Sequence, residues 1–367
     1  FGFGVVFSDE TLDDFLSAAP DSYEQVRSNF AYWSDIVIEH RGERTIVGGN
    51  GFAGCSRVKL LSLLQGRCRE LGVDLHFEKS VSADTLSPLL PAYDLVVVAQ
   101  GVNSPIREQY ADEFGARVVE QRNKFCWLGA TRPLDAFTFF FVRTEHGHFC
   151  AHTYQYEAGG STWVIETTPE TWTACGFAAM NKVASAKYLE TVFADALQGH
   201  HFTTNRSIWR NFPTISCASW RHGNIVLLGD TKATAHWSIC SGTKLAMECA
   251  SALSDAVVKH GNDIDAALTA YEGGRRTPVE ITQHNAQVSL RWFEDMPKHW
   301  DKDRYEFAFS LMSRAKALTW DNIGLRDKAF LTHVENEFYE GYAARTKRHA
   351  AEDRPTPMFT PFDLRGL

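Results

Sequence analysis

The pattern that organises the chain lies between Gly223 and Leu253, G-N-I-V-L-L-G-D-T-K-A-T-A-H-W-S-I-C-S-G-T-K-L-A-M-E-C-A-S-A-L. Ile225 to Leu228 form an apolar run too short for a helix, and after roughly a dozen mostly small and polar residues helical spacing begins at Leu245. The pattern predicts a buried strand, a turn and a helix. Tyr93 to Arg107 carries a similar signal: Leu95 to Ala99 reads as a fully buried strand, and Gly101 breaks it where a ligand can approach.

Around these stretches, helical spacing covers Asp9 to Arg27, with Ser8 or Asp9 as cap, and Ser56 to Leu71. Short strands are predicted at Thr45 to Val47 and Val73 to Phe77. From Val118 to Glu166 the pattern turns to consecutive strands, Phe137 to Arg143, Phe149 to Gln155 and Thr162 to Glu166, dense in aromatics and joined by turns such as Ala158-Gly159-Gly160-Ser161. That is the signature of an antiparallel sheet. Thr168 to Leu197 reads as largely helical with Ser185 as a cap, and helices are expected over Ala246 to His260, Asp263 to Arg276, Thr277 to Phe293, Phe307 to Leu318 and Asp327 to Tyr342. The fold class is α/β.

Composition narrows the picture. The 367 residues are 44% hydrophobic, enough for a large core and one elaborate or two intimately joined domains. A net charge of -8 with mixed signs argues against nucleic acid as the main partner. The eight cysteines are scattered without a C-x-x-C pair and read as small buried hydrophobes in a reducing cytoplasm. No apolar run reaches the length of a membrane span.

The turn after Leu228 carries candidate chemistry. Gly229 lets the backbone come close to a ligand, and the carboxylate of Asp230 can accept hydrogen bonds from sugar hydroxyls. Gly242, Thr243 and Lys244 open the next helix, whose free N–H groups and positive dipole end suit an electron-rich ring edge or an anion. The same spacing also describes an ordinary connection with Asp230 as a helix cap. Gly49 to Gly54 satisfies G-x-G-x-x-G between a strand and a helix, the pattern of a dinucleotide site and of a nicotinamide-dependent dehydrogenase. Against it, the preceding strand is short and follows Arg41, Glu43 and Arg44, where a central parallel strand is apolar. His146, His148, Cys150 and His152 alternate, but His-Gly-His reads as a turn and zinc needs four convergent ligands, so no metal is expected. Arg275 and Arg276 could meet phosphates or stand solvated.

Several of these stretches resemble the FAD-dependent aromatic hydroxylases of the single-component (group A) type. Gly223 to Leu253 resembles their second flavin-binding motif, with Cys240 where close relatives have glycine. Phe1 to Asp9 is similar to F-G-W-G-V-V-F-S-D, Gly49 to Arg57 to G-H-G-F-x-G-I-x-R, and Trp209 to Phe212 to W-R-N-F. Gln100 to Arg107 resembles D-G-x-x-S-x-x-R with Gln100 in place of Asp. The tail from Met358 is similar to the M-F-T-P-F-x-L-R junction with an old yellow enzyme-like barrel, which points to the anthraniloyl-CoA monooxygenase and salicyloyl-CoA 5-hydroxylase group, with the violacein-pathway tryptophan hydroxylase more distant.

The resemblance implies a Rossmann-like, mostly parallel FAD-binding sheet, an antiparallel substrate-binding sheet and a helical C-terminal region. It divides the chain at 1–117 (FAD-binding, first part), 118–215 (substrate-binding), 216–295 (FAD-binding, second part), 296–352 (C-terminal helices) and 353–367 (linker to a covalently linked barrel). A preceding unit of roughly 35 to 45 residues would carry the glycine fingerprint for the ADP half. FAD would contact Arg57, Gly101, Gly229, Asp230, Gly242, Thr243 and Lys244; His152 and Tyr154 would face the substrate. The implied reaction consumes NAD(P)H and O2, forms a flavin C4a-hydroperoxide and hydroxylates an aromatic ring, possibly CoA-linked, with His236 as the candidate base. The rival readings are the dehydrogenase and a truncated scaffold that holds no flavin.

Overall fold

The computed structural model describes residues 3–315 and 318–351, so the linker expected over 353–367 lies outside the described residues. In chain order the strands are β1 (Gly4–Ser8), β2 (Ala31–Trp33), β3 (Ile36–His40), β4 (Glu43–Val47), β5 (Phe52–Ser56), β6 (Val96–Val98), β7 (Ala116–Ala130), β8 (Phe137–Thr144), β9 (Gly147–Glu157), β10 (Gly160–Thr167), β11 (Phe202–Thr203), β12 (Arg210–Cys217), β13 (Arg221–His222) and β14 (Ile225–Leu227). The helices that bear on the site are α1 (Asp9–Ala18), α2 (Arg57–Glu70), α3 (Gly242–His260), α4 (Ile264–Glu294) and α5 (Arg304–Met312).

The largest sheet runs β11-β7-β10-β9-β8-β3-β4, with β12 also paired to β7, and is antiparallel except where β3 lies parallel to β8. The F-T-F-F-F run of β8 shows how its two faces are covered. Phe139 and Phe141 share a core with Phe293, Phe307 and Leu311 from α4 and α5. Phe140 points the other way, stacks on Trp163 at 5.1 Å and joins a second core with Leu189 and Phe193. Strands covered on both faces read as continuous apolar runs rather than alternations. A second sheet orders β1-β5-β2 and is fastened to the first by Tyr154, whose hydroxyl donates to Gly4 O at 2.9 Å, and by Thr162 Oγ1, which accepts from Gly4 N at 3.0 Å. The third sheet, β13-β14-β6, holds the parallel pair that matters most: Ile225 lies opposite Val96 and Leu227 opposite Val98. The result is a mixed α/β fold. Among the described residues no helix is long and apolar enough to cross a membrane.

Several expected elements give way. The fully buried strand expected over Leu95 to Ala99 shrinks to Val96–Val98, and Val97 is 43% exposed because β6 is the edge of its sheet. Val73 to Phe77 is not a strand, and Val73 and Phe77 are exposed. The helix expected over Asp9 to Arg27 breaks at Ala19, where Pro20 starts a second helix. Thr168 to Leu197 divides into short helices, and Asn181 rather than Ser185 caps Lys182–Val192. Thr277-Pro278 begins nothing: α4 runs for 31 residues through Pro278, because Tyr271, Val279 and Ala286 bury one stripe in a common core.

The glycines of Gly49 to Gly54 serve packing. Strand β5 separates them from α2, so no helix opens on the turn, and Gly54 sits in β5 between Val6 of β1 and Ala31 of β2. A Cβ at Gly54 would lie 2.3 Å from Gln155 O and 3.0 Å from the Trp33 ring, and one at Gly51 would lie 1.6 Å from the Asp9 carboxylate. The dehydrogenase reading loses its site. Gly54→Ala should therefore lower stability by about 2 kcal/mol or more, as overpacking against backbone does; an unchanged urea midpoint would show that this contact is not tight.

Candidate functional site

Parallel neighbours end on the same side, so the loops at the carboxyl ends of β6 and β14 meet, the usual ligand position in open α/β sheets. Gly101 (φ +77°) and Gly229 (φ +62°) take left-handed conformations that only glycine adopts freely. Thr231, fully buried, ties the two loops together. Its Oγ1 accepts from Gly101 N at 2.9 Å, and its carbonyl accepts from Arg107 Nη1 at 3.4 Å. Gln100, standing where the resembling motif has Asp, accepts from Ser104 Oγ at 2.8 Å and donates to Val81 O at 2.8 Å.

Asp230 is open to solvent yet set among many protein atoms; this partial burial raises its carboxyl above the ordinary range, and the charge of Arg57 opposes the rise. Arg57 itself opens α2 and is exposed, its backbone N–H held by Phe3 O at 3.1 Å. The mouth of α3 is uncapped. Ser241 stands at the cap position but turns its hydroxyl to Ile239 O at 3.0 Å, whereas α1 and α4 are capped by Ser8 and Asp263. The first N–H groups of α3, from Gly242 to Lys244, thus receive no side-chain acceptor. Gly242 and Gly229 line one small cavity with Lys232 and Leu245. The Lys244 ammonium is drawn away to Glu10 at 2.5 Å and Glu248 at 3.6 Å.

Cys240 precedes this mouth with φ +54°, the conformation that glycine takes there without strain. Lys232 is buried with Nζ 3.4 Å from the Trp220 ring centroid and 3.3 Å from Cys249 Sγ. Arg275 and Arg276 are taken by Glu248 and by Glu272 and Glu280, so neither is a free phosphate contact.

A buried polar cluster lies between the large sheet and α4 and α5. His152 Nε2 meets Glu166 Oε1 at 2.6 Å, and Asn123 Nδ2 donates to Glu166 Oε2 at 3.1 Å. Burial alone would raise Glu166, but the hydrogen bond and charge of His152 and the charge of His236 bring its carboxyl below the ordinary range. Burial lowers His152. His236 is buried against Trp237 and Phe212, its Nδ1 is 2.8 Å from Ser238 Oγ, and burial pushes it down to about 3. Burial likewise lowers Arg314 to about 10, its guanidinium lying 5.5 Å from the Phe139 ring and 5.2 Å from that of Phe293.

These positions revise the expected roles. Gly101, Gly229, Asp230 and the α3 mouth are brought together with Arg57 nearby. His152 and Tyr154 are enclosed and bonded within the protein, one to Glu166 and the other to Gly4 O. His236, with so low an affinity for protons, is a poor base near neutral pH. Thr231, Glu166, Ser238, Ser289 and Arg314 went unnoticed in the sequence because each acts through a partner far along the chain, from 43 to 130 residues away for the first two.

No protein-family model matches the chain. Salicyloyl-CoA 5-hydroxylase of Streptomyces sp is 38% identical over 373 residues, which span 99% of this chain and 69% of that protein. The 3-hydroxy-4-methyl-anthranilyl-[aryl-carrier protein] 5-monooxygenase of Streptosporangium sibiricum is 32% identical over 88% of this chain and 86% of its own length. Among solved structures, 2-methyl-3-hydroxypyridine-5-carboxylic acid oxygenase superposes with a TM-score of 0.64 at 16% identity, covering 89% of this chain and 88% of that one. The probable FAD-dependent monooxygenase pqsL of Pseudomonas aeruginosa does so with a TM-score of 0.61 at 17% identity, over 81% and 88%.

The buried histidines set an acid limit to stability. His236 and His40 fall from an ordinary 6.5 to about 3 and about 4, so below pH 6.5 the unfolded chain takes up protons that the folded chain refuses. Their contribution is complete above pH 6.5 and is lost as pH falls through that window, at up to about 1.4 kcal/mol per pH unit for each histidine. Urea midpoints measured from about pH 7 to pH 5 should fall, and less steeply in His236→Gln; parallel slopes would contradict the assignment.

Proposed function

Because the chain belongs to the FAD-dependent aromatic monooxygenases, the family of salicyloyl-CoA 5-hydroxylase, we propose that it binds FAD at the carboxyl ends of β6 and β14 and hydroxylates an aromatic acyl thioester at the expense of NAD(P)H and O2. The observation that carries the proposal is the convergence of Asp230, the Gly101 loop and the uncapped mouth of α3. Their chemistry fits the group: a carboxylate for sugar hydroxyls, two glycines that let a ligand approach the backbone, and amide donors for an electron-rich or anionic ring edge.

When bound, FAD would supply the activation of oxygen, which no side chain of the protein can perform. Asp230 would accept from the ribityl chain, Gly101 and Gly229 would give close approach, and the N–H groups of Gly242, Thr243 and Lys244 would hold the ring edge. Arg57 would stand beside Asp230 and limit the cost of keeping that carboxylate charged. The half-buried Trp237, packed against Phe125 and Trp127, would help to orient the substrate ring and exclude water. No nucleophile is required, so neither a triad nor a metal belongs to this reading. The scattered free cysteines suit a reducing compartment such as the cytoplasm.

Two outcomes follow. Asp230→Ala should weaken FAD binding, titrated by quenching of flavin fluorescence, by about 10- to 100-fold, the cost of charge-assisted hydrogen bonds; an unchanged affinity would remove Asp230 from the site. Anthraniloyl-CoA or salicyloyl-CoA should support NAD(P)H oxidation coupled to product, with free anthranilate or salicylate a poor replacement; equal turnover of the free acids would remove the thioester from the proposal.

A further inference from the structure

We infer that His236 is locked as the neutral tautomer carrying its proton on Nε2, and that it presents this N–H as a fixed donor to an oxygen conjugated with the substrate's aromatic ring. The inference rests on the proposed aromatic monooxygenase reading for its ligand, but the tautomer follows from hydrogen-bond direction alone. Arg314 Nε–H can only donate, and it donates to Ser289 Oγ at 2.9 Å. Ser289 Oγ lies 2.7 Å from Ser238 Oγ, which lies 2.8 Å from His236 Nδ1.

Ser289 is fully buried on α4, and among the described residues Ser238 Oγ is the acceptor within reach of its hydroxyl proton. The direction is then Arg314 to Ser289 to Ser238 to His236 Nδ1. The reverse order, with Nδ1–H donating to Ser238, strands the Ser289 proton in buried surroundings, where polar groups are almost always satisfied. The backbone N–H of Ser238 also reaches Nδ1, at 3.4 Å, and likewise requires a lone pair there. Arg314 Nη2 grips the same turn from the other side through Ser238 O at 2.5 Å.

The proton of a neutral imidazole must then sit on Nε2. The ring is 3% exposed, and among the described residues Nε2 has no hydrogen-bond partner and is not fully enclosed, so it is the more open end of the ring. Glu166, His152 and Arg314 are the charged and titratable groups that face it. A donor fixed in this way selects a ring bearing a phenolic oxygen or an acyl carbonyl; it takes no proton from the substrate.

The test uses the full chain labelled with 15N in histidine, the His236 signals being identified by their absence in His236→Gln. Nδ1 should resonate as an unprotonated nitrogen and Nε2 as a protonated one, unchanged between about pH 5 and pH 8, while Ser238→Ala should release the mixture of tautomers. A protonated Nδ1, or titration within that range, overturns the inference whatever the enzyme's substrate proves to be. In the ligand arm, His236→Ala should weaken binding of salicyloyl-CoA by about 10-fold or more and that of benzoyl-CoA less if the phenolic oxygen is the acceptor, or both equally if it is the carbonyl. His236→Gln, which keeps an N–H donor, should recover part of the loss. Unchanged binding of both ligands in His236→Ala overturns the donor role, and failure of the wild type to bind either ligand counts against the monooxygenase reading while leaving the tautomer result standing.

Discussion

The arrangement depends on one pairing, the parallel register of Ile225 to Leu227 on Val96 to Val98. Parallel strands deliver their carboxyl ends to one place, and here that brings Gly101 and the Gly229-Asp230 turn side by side although more than a hundred residues separate them. Thr231 then closes the junction through Gly101 N, and Arg107 holds the Thr231 carbonyl from beneath. If this register shifted, the glycines would lose their common side and Asp230 its neighbours.

The large antiparallel sheet serves a different purpose. Its two faces are both covered, so its polar residues are forced inward and must find partners there. Glu166 finds His152 and Asn123; against the same face Arg314, which follows α5 and lies between two phenylalanine rings, finds Ser289 and the Ser238 carbonyl. The consequence is a pre-set polar wall beside the mouth of α3. Such a wall holds its hydrogen-bond directions fixed, which would suit the proposed reaction, in which the cofactor does the bond making.

Much of this was legible in the sequence. The strand, turn and helix around Gly229 showed in a short apolar run followed by small residues and then helical spacing, and the resemblance of Asp230 and Gly242 to Lys244 to a flavin motif agrees with the family found by comparison. Other readings failed for physical reasons. Gly49 to Gly54 matched a dinucleotide fingerprint because close packing against Asp9, Gln155 and Trp33 demands the same residue as approach to a phosphate. Pro278 looked like a helix start, but the buried stripe on either side carries α4 through it. The cluster of Glu166, Ser238, Ser289 and Arg314 left no local trace, since its order comes from contacts between distant elements.

The central claim is that the carboxyl ends of the parallel pair and the uncapped mouth of α3 form one ligand site. Hydrogen–deuterium exchange of the protein with and without FAD tests it most directly. The account predicts slower exchange at Gly101 and from Gly242 to Lys244 on adding FAD, with no change at Gly49 to Gly54 beyond that of the surrounding sheet. Protection confined to Gly49 to Gly54, with the amides of α3 unaffected, would contradict it.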